Sequence, residues 1–185
     1  MLEPFQPIIA LKIIAAIAAF IAMLTDSLRG KIYNWLTFPC IFLGWGLNLY
    51  FFGWAGLGYS LAASTVGIAL YIVPAIFGLI GMGDVKLMAA IGALGGTEFV
   101  VSSFLYASVL GLPHALLIQY LNYGSNALGM LVTSFTSKAF LEKSIHKENA
   151  GSGKNYRFLL GIDIFLATTL AVFYTFNLST LQKLF

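Results

Sequence analysis

The chain has 185 residues, of which 59% are hydrophobic and only 9% charged, and its mean hydropathy is +0.90. A soluble domain of this size carries about 25% charged residues, so an ordinary soluble fold is excluded and a lipid environment is expected. The single cysteine, Cys40, rules out an internal disulfide and any multi-cysteine metal centre. The net charge of +3 comes from basic residues in connections between apolar stretches, where they orient a chain in a bilayer and meet anionic lipid rather than nucleic acid.

A bilayer crossing takes about 20 mostly apolar residues, so the length predicts a single all-α membrane domain over 1–185, a bundle of about six transmembrane helices. The first is expected over Ile8–Leu24. It has no basic lead and no small-residue cleavage site behind it, so it reads as a retained span rather than a signal peptide. Asp26-Ser27-Leu28-Arg29-Gly30-Lys31 breaks it. Asn34 is placed to cap a second helix from Trp35 to about Phe52, with Trp35 and Trp54 at opposite interfacial levels. A third runs from about Leu57 to Phe77, with a kink expected at Pro74, and Gly78 to Gly83 ends it.

The fourth apolar stretch, Val85–Leu94, stops at Gly95-Gly96 and at about 1.5 Å per residue covers only about half a bilayer. Either Asp84 lies below the membrane surface or the helix continues past the glycines. The fifth span, Phe99 to about Leu121, carries Pro113 and His114. In the long polar connection that follows, Leu128, Leu131, Val132, Phe135 and Ala139 recur at helical spacing beside Lys138, Glu142 and Lys143. This pattern predicts a cytoplasmic amphipathic segment lying on the membrane. Glu148–Asn155 reads as a flexible linker, and Phe158–Leu178 as the sixth span. With six crossings, Arg29, Lys31, Lys138, Lys143, Lys147, Lys154 and Arg157 share one side, which the positive-inside rule makes the cytoplasm. Asp26 and Asp84 share that edge, and both termini fall outside.

Aspartates at membrane depth cost at least about 2.5 to 3.5 kcal/mol, so Asp26 and Asp84 are the candidate catalytic residues. Two close carboxylates share one proton. Such a pair can deprotonate a water with one member and polarise a peptide carbonyl with the other, which requires neither metal nor cofactor. The start of a helix favours an ionised Asp84, which makes Asp84 the expected base and Asp26 the proton holder. Gly81 and Gly83 are expected to form the site by admitting a substrate strand closely. Asn34 caps its helix or orders the loop near Asp26, and Lys86, at the same helix end as Asp84, tunes the pair or faces headgroups. His114 is read as a packing residue, and Asp163 as the partner of Lys154 or Arg157. A different class of reading, a small transporter or channel binding protons or cations at the two aspartates, gets no support from an internal repeat.

Thr25-Asp26, then Lys31-Ile32-Tyr33-Asn34-Trp35-Leu36-Thr37 and Pro39, and later Gly81-Met82-Gly83-Asp84-Val85-Lys86-Leu87 together resemble the type IV prepilin peptidases, in particular the short stand-alone pilus-assembly form. Gly161 is a looser match. The resemblance implies an aspartic endopeptidase of the bacterial inner membrane with Asp26 and Asp84 as its catalytic pair. Its substrates would be prepilin-like precursors, cut on the cytoplasmic face after a short basic leader that commonly ends in glycine. Preflagellin and other membrane-protein peptidases with the same pair are the alternative clients. Tyr33 stands where the family commonly has proline, a departure that concerns the loop rather than the chemistry. The cysteine pairs and methyltransferase module of larger relatives are not expected here.

Overall fold

The computed structural model describes residues 5–76, 80–123 and 160–182. The described elements are helices: α1 (Phe5–Arg29), α2 (Asn34–Ile76), α3 (Met82–Gly95), α4 (Thr97–Tyr123) and α5 (Leu160–Gln182). No strand occurs among the described residues, as the composition predicts. The amphipathic segment, the linker, Lys154 and Arg157 lie outside them.

α1 runs past its expected end. Ser27, Leu28 and Arg29 all tolerate helix, and the chain turns only at Gly30, which adopts φ 62° and donates its N–H to the Asp26 carbonyl at 2.6 Å. Asp26 therefore occupies the last turn of α1 instead of the loop beyond it. Leu11, Ala15, Ala18, Ala19 and Ala22 are buried, a stripe at helical spacing whose small side chains suit close helix contact. Asp26 continues that stripe one turn after Ala22, so its carboxylate projects toward the bundle.

The second and third expected helices are the two halves of α2. They meet at Gly53, whose backbone (φ 66°, ψ −157°) departs from helix in a region open to glycine. The second half folds back on the first, since the Trp45 indole N–H donates to Ser64 Oγ at 3.0 Å. The break at Gly53 falls where the two expected helices meet, and Pro74 lies within the second half, where no departure from helical backbone occurs.

α3 is the centre of the bundle. Ten of its 14 residues are buried, as befits a helix that is apolar on all sides. Gly44 and Gly67 on α2 and Gly92 on α3 allow backbone-distance contact between the two elements. Asn48 Nδ2 and Ser60 Oγ donate to the Ala93 carbonyl at 3.0 and 2.6 Å, which satisfies an acceptor that the helix end leaves open. The helix does not continue past the glycines: α3 stops at Gly95 and α4 begins at Thr97. At about 21 Å, α3 is shorter than the roughly 30 Å hydrocarbon core.

Phe42, Val109, Leu112 and Phe173 all face outward, an inversion of the soluble pattern that lipid explains. Trp35 and Trp54 are also exposed, at the two ends of the first half of α2. Three helices are long and apolar enough to cross a membrane: Pro7–Arg29, Asn34–Ile76 and Thr97–Ile118, with Leu160–Phe176 a shorter apolar stretch. The expectation of six crossings depends on counting α2 twice and on α3 and α5, which fall short of that length. α1 and α5 run antiparallel. Gly161 meets Asp26 at one end of their contact, and Lys12 Nζ donates to Thr175 Oγ1 at 3.4 Å at the other.

Candidate active site

Three chain segments converge at one end of the bundle: the last turn of α1 and the first turns of α3 and α5. Helix starts expose N–H groups with no intrahelical acceptor, and two of them are spent on carboxylates here. The Gly161 N–H, in the first turn of α5, donates to Asp26 Oδ2 at 3.1 Å. A Cβ at Gly161 would lie 2.9 Å from that oxygen and 3.0 Å from Asp26 Cβ, so the approach needs glycine.

Asp84 is held in the same manner by a different element. Gly81 precedes the first turn of α3 and donates its N–H to Asp84 Oδ2 at 3.0 Å, while the Asp84 N–H donates to the Gly81 carbonyl at 3.1 Å. This reciprocal pair fixes the start of α3. Each aspartate thus has one carboxylate oxygen on a glycine N–H.

Asp84 is buried, and burial disfavours an ionised carboxylate, whereas the helix start and the Gly81 N–H favour one.

The other expected site residues line the same end. Gly83 lies under the α1–α2 connection, where an added Cβ would come 3.0 Å from Ile32 Cβ and 3.2 Å from its carbonyl oxygen. Its role is to seat that connection on α3. The Asn34 carboxamide oxygen accepts from Lys86 Nζ at 2.8 Å, so this side chain ties α2 to α3 instead of capping its own helix. Lys86 Nζ also sits 5.4 Å from the centre of the Phe38 ring, a cation–π contact. Tyr33 is packed under Arg29, whose Nη1 donates to the phenol oxygen at 3.4 Å. Tyr33 therefore braces the loop from its side chain.

Two features were not legible in the sequence. Asp163 pairs with His114, Nδ1 to Oδ2 at 2.9 Å; the loop cations expected beside it, Lys154 and Arg157, lie outside the described residues. Buried Tyr71 lies within electrostatic reach of both Asp84 and Asp163. Periodicity along α5 places Asp163 beside Leu160, Ile164, Ala167 and Ala171 on the buried side, and that was the available signal. Among the described residues, no three His, Cys, Asp or Glu side chains gather as metal ligands.

The model of the type IV leader peptidase family matches residues 13–116, more than half of the chain, with both aspartates inside the match. Searches of the curated proteins and of the solved structures return no match.

Proposed function

This chain belongs to the type IV leader peptidase family, and we propose that it is an intramembrane aspartic endopeptidase that removes the short basic leader of prepilin-like precursors. The observation that carries the reading is the convergence of Asp26 and Asp84 at one end of the bundle. Each is oriented by a glycine N–H.

The chemistry follows from one shared proton. Asp84, the more deeply buried of the two, holds it and donates a hydrogen bond to the scissile carbonyl oxygen. Asp26 accepts a proton from a water placed between the carboxylates as that water attacks the carbonyl carbon. The carbonyl oxygen takes the Asp84 proton, giving a neutral gem-diol. The proton on Asp26 then passes to the amide nitrogen, the C–N bond breaks, a diol proton returns to Asp84, and acid and amine products leave.

Six passes are consistent with this arrangement if each half of α2 crosses separately and α3 enters from the active-site side without reaching the far surface. The face is then cytoplasmic in a bacterial inner membrane, because Arg29, Lys31 and Lys86 cluster at the end that carries the aspartates. A basic leader would remain on that side while its hydrophobic helix lies in the bilayer. The lipid bilayer and the precursor are the two partners this reading requires.

The direct test mixes purified protein, in detergent or nanodiscs, with a precursor whose basic leader ends in glycine before an apolar stretch. Mass spectrometry of both fragments should place the cut at the end of the leader. An intact precursor, or a cut elsewhere that persists in Asp26→Asn, would end the proposal.

A further inference from the structure

His114 and Asp163 are an ionisable pair inside a chain with few charges, and the chemistry above does not use them. Removing two such groups from water costs several kcal/mol, so a pair of this kind generally fixes geometry or serves a reaction. It joins the later part of α4 to the first turn of α5 at 2.9 Å. The Asp163 side chain is only 6% exposed and that of His114 28%.

Asp163 is two residues from Gly161, in the same first turn of α5. Gly161 is the residue whose N–H holds Asp26. α4 also supports that turn directly, since a Cβ on Gly111 would touch Leu160 Cδ1 at 3.5 Å and Asp163 Oδ2 at 3.6 Å. One helical turn is stiff, so a side chain that pins Asp163 also sets where the Gly161 amide points. We propose that His114 is a positioning residue for the Asp26 carboxylate, acting through Asp163 and the Gly161 N–H. This rests on the reading of Asp26 as a member of the catalytic pair.

The contact is between imidazole Nδ1 and a carboxylate oxygen, and an ionised carboxylate needs a donor there, which selects the substitutions. Asparagine can place an amide N–H near the Nδ1 position, whereas leucine keeps bulk without a donor. A residue that only fills space is replaced better by leucine than by asparagine. His114→Leu and Asp163→Ala are expected to lower kcat by tenfold or more with KM within twofold, because precursor binding is left alone. The double variant should be no worse than either single one, and His114→Asn should recover most of the lost kcat.

A second measurement needs no activity. Hydrogen exchange of a peptide covering 160–164 should be about tenfold faster in His114→Leu than in the wild type, with His114→Asn near the wild type. Wild-type cleavage together with unaltered kcat in His114→Leu, or with His114→Asn no better than leucine, would overturn this inference and leave the peptidase reading intact. Absence of cleavage by the wild type would count against the peptidase reading. In that event the exchange experiment decides the positioning contact, and equal protection in all three proteins would overturn it.

Discussion

The backbone N–H of Gly161 donates to the Asp26 carboxylate at 3.1 Å across 135 residues of sequence, so the last helix of the described chain orients an acid from the first. A side chain at position 161 has nowhere to go. In Gly161→Ala the new Cβ would meet Asp26 Oδ2 at 2.9 Å and the α1 backbone at Met23 Cα at 3.3 Å. The carboxylate or the helix must shift, and misplacement by about 1 Å can cost about 100-fold. We expect a 10- to 100-fold loss of precursor cleavage with membrane insertion retained. Activity equal to wild type would show that the contact does not orient the acid used in the reaction.

Asp26→Asn and Asp84→Asn should each reduce cleavage by at least about a thousandfold, since either change removes both a carboxylate and the shared proton. Single-turnover measurements with excess protein would detect slow residual cutting. Either variant retaining a tenth of wild-type turnover contradicts the pair.

Lys86 and Asn34 tie α3 to α2 through a 2.8 Å contact at the surface. Because it is exposed, its removal in Lys86→Met should cost about 1 kcal/mol or less, the cation–π contact with Phe38 included. The effect of Asn34→Ala should largely disappear in a Lys86→Met background. Additive losses in a double-mutant cycle, read by thermal melting, would show that the two side chains act independently.

Membrane orientation can be read from two exposed positions at opposite ends of the first half of α2. In a Cys40→Ala background, Lys31→Cys should react with an impermeant thiol reagent only after lysis, because the basic end faces the cytoplasm. Ala55→Cys, beside the reversal at Gly53, should react in intact cells. The reverse pattern would put the aspartates on the outer face.

The sequence by itself determined the helical class, since only a chain that satisfies its backbone internally can be this apolar. It also marked Asp26, Asp84, Gly81 and Gly83 as candidates, because Gly81-Met82-Gly83-Asp84 is a local pattern and Asp26 lies one turn beyond the alanine stripe of α1. Helix ends were less legible. Gly30 and Gly53 mark the actual turns through positive φ, yet glycines are frequent throughout this chain, and most of those near helix contacts serve close packing instead. Tertiary structure alone decided the burial of Asp84 and the partners of Gly161, Lys86 and Asp163. That burial depends on α3 lying at the centre of the bundle, a property no local window contains. The contact of Gly161 with Asp26 and the pairing of His114 with Asp163 join distant segments through antiparallel register. That register is set by which small residues allow two helices to approach, and the stripe on either helix read separately does not specify it.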